Sequence, residues 1–472
     1  MLFNSLTFLV FFAAVLALHR LPLSWTTRKA NLLLASYLFY AAWNPPFVIL
    51  IWISTLVDWF AARAMARTDS RARRRVLLTA SLCVNLGLLG FFKYGGFLLD
   101  NFVGVLGWLG VEYQPLRPDI ILPVGISFYT FQTMSYSIDV YRGVMRPWRS
   151  FLDFALYVTF FPQLVAGPIV RSGQFLPQCL EPRRATGAQL GWGLTLLTVG
   201  LFEKVVLADR LLGPVADYVY GAAAGAGFTQ AWLGTLAFSG QIFFDFAGYS
   251  TCAIGIGLCL GFVLPDNFRF PYAAIGFSDF WRRWHISLSS WLRDYLYISL
   301  GGNRKGRART YGNLMLTMLL GGLWHGANWR FVVWGGLHGV YLSVERLLRD
   351  RWRGGAWLRR WPFKLALALL TYMLVCIAWV FFRAPDFATA ISLVSAMLTG
   401  APGALPMGPF QTASVIAVTV GLLGAHWAMR DASLEQGWAR LSWPARALLL
   451  AALLVALAVS SGDTHAFIYF QF

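Results

Sequence analysis

Long apolar stretches alternate with short polar segments along almost the whole chain. Some stretches approach the roughly 20 apolar residues that an α-helix needs to cross a hydrocarbon core of about 30 Å, and others are shorter. This alternation predicts an all-α polytopic membrane protein with about a dozen transmembrane or re-entrant helices. The apolar stretches cover residues 2–18, 30–43, 46–62, 76–96, 119–140, 151–170, 188–207, 229–262, 311–345, 363–382, 410–427 and 444–460.

The composition agrees with a membrane protein. The 472 residues are 58% hydrophobic and 13% charged, whereas about a quarter of the residues of a soluble domain are charged. No segment has the composition of a soluble domain, so we expect a single integral-membrane domain over residues 1–472. The first apolar stretch lacks a basic leader and an A-x-A cleavage site, and we therefore expect a retained span rather than a signal peptide.

The formal net charge of +18 arises from 39 basic and 21 acidic residues. In a soluble protein this excess would suggest a nucleic-acid partner. Here the basic residues lie in short loops between apolar stretches, which is the positive-inside pattern, so we expect membrane lipid and no nucleic acid as partners. Part of the charge could instead face an anionic lipid or an anionic cofactor. The loops expected to be cytoplasmic contain Arg20, Arg28 and Lys29; residues 71–75; Arg142, Arg146 and Arg149; Arg304, Lys305, Arg307 and Arg309; and residues 346–360.

The sequence offers little for metal binding or covalent catalysis. The five cysteines show no CxxC motif or paired spacing, so we expect buried free thiols rather than disulfides. No HExxH or G-x-S-x-G motif is present, and we expect no metal and no permanently bound cofactor. The cysteines are Cys83, Cys179, Cys252, Cys259 and Cys376.

The most unusual apolar stretch is LLGGLWHGANWRFVVWGGLHG, residues 319–339, because it contains His325 and His338. An imidazole in hydrocarbon is costly unless the fold or the chemistry uses it. The two limbs, 311–324 and 331–344, reach only about 21 Å each as helices, less than a core of about 30 Å. If the basic loops on both sides are cytoplasmic, the chain between them must leave and return, so we predict a re-entrant hairpin whose turn lies within the bilayer, unless a few more residues per limb let it cross. Irregular backbone at that depth must be buried in protein or line a wet cavity.

A second unusual segment, SDFWRRWHISLSSWLRDYLYISLGGNR at residues 278–304, precedes this hairpin. Its charges exclude a lipid-facing span, and two sets of residues at helical spacing predict one amphipathic helix. The apolar set is Trp284, Leu288, Trp291 and Tyr295, and the polar set is Arg282, His285, Ser289 and Arg293. Such a helix either anchors at the membrane surface or lines a water-filled entry. His285 at the centre of the polar set favours the entry.

Three of the six histidines lie in these two segments. We expect interfacial positions for the other three, His19, His426 and His465, because each lies near the end of an apolar stretch. A desolvated imidazole stays neutral at pH 7 and can accept a proton. A neutral base beside an alcohol and an activated acyl donor suffices for direct O-acyl transfer. A buried histidine that only packs against its neighbours fits the pattern as well.

Both unusual segments resemble the signature motifs of the membrane-bound O-acyltransferase (MBOAT) family. The resemblance extends over nearly the whole chain. It is closest to the bacterial members that act on alginate, ahead of those that D-alanylate teichoic acids. Further matching motifs are LPVGISFYTFQTMSYSIDVYRG (122–143), FFPQLVAGPIVR (160–171), GLFEKVVLADR (200–210), FDFAGYSTCAIGIGLCLGF (244–262) and FIYFQF (467–472).

The resemblance implies a set of helices around a central funnel and assigns roles to the histidines. The family's catalytic histidine, in the WHG motif, is His325 in this sequence. A second family position, in the RRWHIS motif, is His285. We expect His338, Trp324 and Asn328 to support the site.

The resemblance also implies the substrates. Family members take an acyl group from a cytoplasmic thioester, here acetyl-CoA or another acyl thioester, and bacterial members deliver it to an extracytoplasmic polymer with partner proteins. We therefore expect a multi-pass O-acetyltransferase of the bacterial inner membrane that acts on polysaccharide hydroxyls, alginate first, directly or through a periplasmic acetyltransferase. From charge and placement we expect Arg282, Arg283 and Arg293 to attract the donor phosphates. The alternatives are D-alanyl or other acyl transfer to a cell-envelope polymer, and a non-enzymatic transporter of an envelope intermediate.

Overall fold

The computed structural model describes residues 1–117, 120–165, 167–351, 360–400, 402–460 and 467–468. Within them the regular structure is helical and no β-strand occurs, which confirms the prediction of an all-α polytopic protein. The α-helices are α1 (Leu6–Arg20), α2 (Trp25–Ala41), α3 (Val48–Ala66), α4 (Arg71–Leu89), α5 (Gly95–Trp108), α6 (Ile126–Arg142), α7 (Phe151–Thr159), α8 (Phe161–Leu164), α9 (Ser172–Phe175), α10 (Gly187–Phe202), α11 (Gly213–Gly221), α12 (Phe228–Cys259), α13 (Phe277–Phe280), α14 (Ile286–Trp291), α15 (Arg307–His325), α16 (Trp329–Arg351), α17 (Trp361–Arg383), α18 (Phe387–Thr399), α19 (Pro409–Ala428), α20 (Leu434–Arg440) and α21 (Trp443–Ser460).

Some neighbouring helices join through π-helical turns into longer rods. Residues 90–94 join α4 to α5, and residues 203–212 join α10 to α11. In the described ranges, seven helical rods are long and apolar enough to cross a membrane, and α1 and α18 are apolar but shorter. The central funnel stays a prediction. The seven rods are Pro45–Ala66, Arg71–Trp108, Gly187–Gly221, Phe228–Cys259, Trp361–Arg383, Pro409–Ala428 and Trp443–Ser460.

The chain divides into two compact units, and a single domain over residues 1–472 stays a prediction. Unit 1 contains Met1–Leu194, Ala253–Pro265 and Gly326–Asn328, and unit 2 contains Thr195–Cys252, Asp266–His325 and Trp329–Phe472.

In unit 1, helices α3, α4 and α6 pack around a buried polar cluster. The carboxylate of Asp58 on α3 accepts hydrogen bonds from the hydroxyls of Ser81 and Ser137 and from the side-chain amide of Asn85. Asn85 in turn accepts a hydrogen bond from the hydroxyl of Thr133 at 3.2 Å. A buried polar group that loses its partner is costly, so these bonds fix how the three helices pack.

Two basic residues that we assigned to a cytoplasmic loop are instead buried in unit 1. The ammonium of Lys29 pairs with Asp153 at 2.5 Å, and the guanidinium of Arg28 donates to the carbonyl oxygen of Arg183 at 3.1 Å. Both side chains are therefore engaged in the fold, near the start of α2 and not in a loop, and their position on the cytoplasmic side stays a prediction.

Two histidines that we expected at the interfaces are also buried. His19 and His426 are each 3% exposed, and the backbone N–H of Tyr272 donates to Nδ1 of His426 at 3.2 Å. Both side chains are therefore covered by protein, their position at the depth of the membrane interface stays a prediction, and His465 lies outside the described residues. The cysteines are free thiols as predicted, and all except the exposed Cys83 are buried.

Helices α15 and α16 of unit 2 form the predicted hairpin around closely packed glycines. A Cβ atom on Gly335 would lie 2.2 Å from the carbonyl oxygen of Met318, and one on Gly322 would lie 2.1 Å from that of Phe331. The two helices have 19 and 23 residues, or about 29 and 35 Å at a rise of 1.5 Å per residue. The prediction of 14-residue limbs is therefore wrong, because polar residues extend both helices. A turn within the bilayer no longer follows from limb length.

Candidate active site

The segment that contains His285 is not the single amphipathic helix that we predicted. Helix α13 ends at Phe280, a turn follows, and His285 adopts left-handed backbone angles, φ 42° and ψ 55°, directly before α14. The backbone N–H of Ile286 donates to the carbonyl oxygen of Asn267 at 2.9 Å. The turn is therefore held by an earlier loop of the chain, which interrupts the helix.

The prediction is confirmed for the apolar face of this segment and wrong for the polar face. The apolar set, Trp284, Leu288, Trp291 and Tyr295, is buried as predicted. The polar set does not form one face. His285 is fully buried, whereas Arg282 and Arg293 are exposed.

The side chain of Asn267 holds the imidazole of His285 in unit 2. Its Oδ1 lies 3.1 Å from Nδ1 of His285, and it also accepts hydrogen bonds from the backbone N–H and the hydroxyl of Ser287, at 3.3 and 2.9 Å. A backbone N–H can only donate, so this atom is the amide oxygen and Nδ1 of His285 must carry a proton. Nε2 of the neutral ring therefore carries the lone pair and can act only as a hydrogen-bond acceptor.

Burial keeps His285 neutral. The ring lies outside the seven candidate membrane spans and is fully buried, and this desolvation lowers the pKa of His285 to about 3. Sequence reasoning missed Asn267, which lies 18 residues before His285 and in no motif that we recognised.

His325 ends helix α15, is 3% exposed, and lies beside His285. The two imidazole centroids are 6.4 Å apart. The rings of Trp334 and Phe382 cover His325, with centroids at 5.0 and 5.4 Å. The structure thus brings the two predicted catalytic histidines together in an aromatic, largely dry environment.

The predicted supporting residues take different positions. The ring of Trp324 contacts both catalytic candidates, at 5.8 Å from His285 and 5.0 Å from His325. Fully buried His338 lies 4.8 Å from the ring of Trp334, and its ring nitrogens have no hydrogen-bond partner among the described residues. Asn328 lies in the three-residue turn between α15 and α16. His338 therefore packs against Trp334, and the ring of Trp334 also contacts His325.

Two of the three arginines expected to bind donor phosphates already have carboxylate partners. Arg283 pairs with Asp279 at 3.0 Å, and Arg293 pairs with Asp294 at 2.7 Å. Burial by itself raises the pKa of Asp279, but the hydrogen bond from the backbone N–H of Ile275 and the nearby guanidinium groups outweigh it and lower the pKa. Arg282 is exposed, and no carboxylate pairs with it within the described ranges.

The C-terminal residues also reach the neighbourhood of His285. The ring of Phe467 packs on Phe246 at 5.5 Å, and Phe246 packs edge-on against His285 at 4.6 Å. The backbone N–H of Ile468 donates to the carboxylate of Asp245 at 2.9 Å, and Asp245 is ion-paired with Lys204. The rest of the FIYFQF motif lies outside the described residues.

Comparison with known proteins identifies the family to which the chain belongs. The sequence model of the membrane-bound O-acyltransferase family matches residues 146–384. The probable alginate O-acetylase AlgI of Azotobacter vinelandii is 44% identical over 407 residues, which cover 84% of this chain and 78% of the relative. The protein of that name in Pseudomonas aeruginosa is 42% identical over 426 residues, which cover 90% and 79%. The peptidoglycan O-acetyltransferase of Helicobacter pylori is 40% identical over 399 residues, covering 78% and 73%. The chain therefore belongs to the membrane-bound O-acyltransferase family and is a multi-pass O-acyltransferase.

Proposed function

We propose that this enzyme moves an acetyl group from a cytoplasmic acyl thioester, acetyl-CoA, toward hydroxyl groups of an extracytoplasmic polysaccharide. Alginate is the first candidate acceptor. Relatives at 40 to 44% identity are named as acetylases of alginate and of peptidoglycan. They share the acetyl group and differ in the polymer, so they support acetyl transfer more strongly than any one acceptor.

The juxtaposition of His285 and His325 is the observation that carries this proposal. We assign His325 as the general base, which takes the proton from the acceptor hydroxyl. The oxygen of that hydroxyl attacks the carbonyl carbon of the thioester at the same time. The carbon–sulfur bond then breaks, and the proton passes to the leaving thiolate. An ester and a free thiol result, with no other reactant. General-base catalysis contributes about 10²- to 10⁴-fold.

His285 acts beside the base as a neutral hydrogen-bond acceptor. Because Nδ1 donates to Asn267, Nε2 carries the lone pair and can accept a hydrogen bond from a neighbouring hydroxyl of the acceptor sugar. This bond orients the sugar while His325 takes the proton of the attacking hydroxyl. An amide partner favours the neutral imidazole, whereas a carboxylate would favour the charged form.

Arg282 is the best of the three arginines for attracting donor phosphates. Arg283 and Arg293 are engaged by Asp279 and Asp294. Arg282 is exposed without such a partner, and a guanidinium group matches the geometry of phosphate oxygens. We assign Arg283 mainly to the structure of its turn.

The histidine assignments are tested by His325→Ala and His285→Ala, with His19→Phe in unit 1 as an equally buried control. The assay follows labelled acetyl groups from acetyl-CoA to polymer in membranes of a host that lacks its own acetylase. We expect activity to fall about 10²-fold or more for His325→Ala and to persist in the control. Unchanged transfer by His325→Ala at equal protein level would remove His325 as the base.

The same membranes distinguish the alternatives. D-Alanyl transfer would require a D-alanyl carrier thioester, and acetyl-CoA would then give no product. A periplasmic partner would show as acetylation that depends on coexpressing a periplasmic acetyltransferase. The chain belongs to an acyltransferase family, and no observation favours the non-enzymatic transporter.

A further inference from the structure

A pocket of about 580 Å³ opens between α3 and α4 in unit 1, far along the chain from the histidines. It lies at the end of the two helices where the chain turns through residues 67–70. That is the end which the RARRR motif at residues 71–75 predicts to be cytoplasmic. The pocket is lined by Trp59, Phe60, Arg63, Ala64, Arg67, Thr68, Arg73 and Leu77.

The lining changes from charged to apolar along both helices. On α3, Arg63 and the following Arg67 lie toward the end of the helix, and Phe60 lies about a turn further in. On α4, Arg73 is in the first turn and Leu77 is one turn further in. The side chain of Phe60 is 63% exposed on a candidate membrane span. This order matches a bilayer interface, with cations at headgroup height and apolar groups beside the acyl chains.

The three arginines of the pocket are available to a ligand. None of Arg63, Arg67 and Arg73 has an ion-pair partner among the described residues. The guanidinium of Arg63 lies 4.8 Å above the ring of Trp59, which orients it. Arg74, by contrast, donates to the carbonyl oxygen of Tyr141 at 2.7 Å and is used in the fold.

We propose that this pocket binds the phosphate headgroup of an anionic phospholipid. Arg63, Arg67 and Arg73 contact the phosphate oxygens, because guanidinium groups bind them bidentately. One acyl chain lies along Phe60 and Leu77. The apolar half of the pocket favours a lipid over a soluble phosphate compound. A soluble compound would contact the arginines and leave Phe60 and Leu77 without a contact.

The test uses the full-length protein in detergent, with its thermal unfolding midpoint followed while phosphatidylglycerol is titrated into the micelles. A ligand that binds the folded protein raises this midpoint, and the stabilisation grows with the logarithm of ligand concentration divided by Kd. The pocket variant is Arg63→Gln/Arg67→Gln/Arg73→Gln. Its matched control is Arg71→Gln/Arg75→Gln/Arg146→Gln, which removes three exposed arginines that do not line the pocket, two near the start of α4 and one in the loop after α6.

At about 1 kcal/mol for each arginine in contact with the headgroup, we expect the pocket variant to bind phosphatidylglycerol on the order of 100-fold more weakly than wild type. We expect a smaller loss in the control at physiological salt, because its arginines lie outside the pocket and salt screens their longer-range attraction. Equal losses in both variants would overturn the proposal, because a diffuse basic surface would then suffice. Equal stabilisation by phosphatidylcholine, or by inorganic pyrophosphate, would overturn it as well. If the triple variant fails to fold, Arg67→Gln/Arg73→Gln replaces it, since both side chains are exposed and make no hydrogen bond among the described residues.

Discussion

Replacing Asn267 with Ala tests whether the hydrogen-bonded state of His285 matters for catalysis. The variant removes the acceptor of three hydrogen bonds, from Nδ1 of His285 and from the backbone and hydroxyl of Ser287. It also removes the bond from the Asn267 amide to the hydroxyl of Ser250 at 3.0 Å. The backbone of His285 then keeps its left-handed angles with less support.

Asn267→Ala is expected to lower both the stability of this loop and the turnover of the enzyme. Four hydrogen bonds at about 1 kcal/mol each stabilise this loop by about 4 kcal/mol, and the left-handed conformation of a non-glycine residue costs about 1–3 kcal/mol. If only the ring tautomer becomes free, one lost hydrogen bond of about 1 kcal/mol changes the population of that tautomer by roughly fivefold. If the ring also moves, activity falls by about 10²-fold, the lower end of an acid–base contribution. We therefore expect a loss of turnover of about 5- to 100-fold.

The assay is acetyl transfer in membranes, normalised to the amount of folded protein. Asn313→Ala is the matched control, because the amide of Asn313 is also buried and donates to the carbonyl oxygen of Gly302 at 2.9 Å, on α15 away from His285. Equal activities of the two variants would refute the role of Asn267 in setting the tautomer.

The variant Asn267→Asp adds a readout that a purely structural role does not change. A carboxylate at this position would lie about as near Nδ1 as the amide oxygen does, at 3.1 Å, and would favour the imidazolium. The pKa of His285 would rise, and Nε2 would be protonated in mildly acidic buffer. We expect activity to fall at mildly acidic pH where wild type is still active. A pH profile that coincides with that of wild type would contradict this.

Three further predictions concern stability. Gly335→Val places a side chain against the carbonyl oxygen of Met318, so we expect a much lower yield of monodisperse protein in size-exclusion chromatography; a normal yield would contradict the close packing. Lys204→Met leaves Asp245 buried without its partner and should lower the free energy of unfolding by about 3–5 kcal/mol, seen as a lower thermal midpoint that an added Asp245→Asn partly restores. Burial lowers the pKa of His285 from 6.5 to about 3, so the unfolded chain binds a proton first as the pH falls. The contribution of a neutral His285 should be complete above pH 6.5 and shrink by about 1.4 kcal/mol per pH unit down to about pH 3, a dependence that should be weaker in His285→Gln.

Periodicity was sufficient to predict the parts of the site that depend on local packing. The spacing of Trp284, Leu288, Trp291 and Tyr295 predicts a buried stripe, and these side chains are buried even though the helix is interrupted. Burial depends on which residues are apolar, and that pattern survives a local change of backbone. The hairpin was predicted from the basic clusters on both sides of the stretch, whereas its limb lengths were wrong because hydropathy ignores the polar ends of helices.

Long-range contacts could not be predicted in this way. The left-handed backbone of His285 has only a weak local signal, because histidine adopts these angles more often than most residues but still in a small minority of cases. It depends on Asn267, which is polar, isolated and outside the motifs. The burial of Lys29 likewise depends on Asp153, more than 120 residues away, and a count of basic residues treats Lys29 as a loop charge. The pairing of His325 with His285 came from the family resemblance, because no spacing rule relates the two positions.

The partner of His285 is an amide and not a carboxylate, so the two histidines are suited to different roles. In a serine-hydrolase triad, a carboxylate holds the histidine and stabilises its charged form, which suits a group that must carry a proton. Asn267 orients the ring equally well but offers no charge, and full burial further disfavours the imidazolium. His285 is therefore suited to accept a hydrogen bond at Nε2 and poorly suited to hold a proton. We propose that this role belongs to His325, at the end of α15 and directly before the turn of the hairpin.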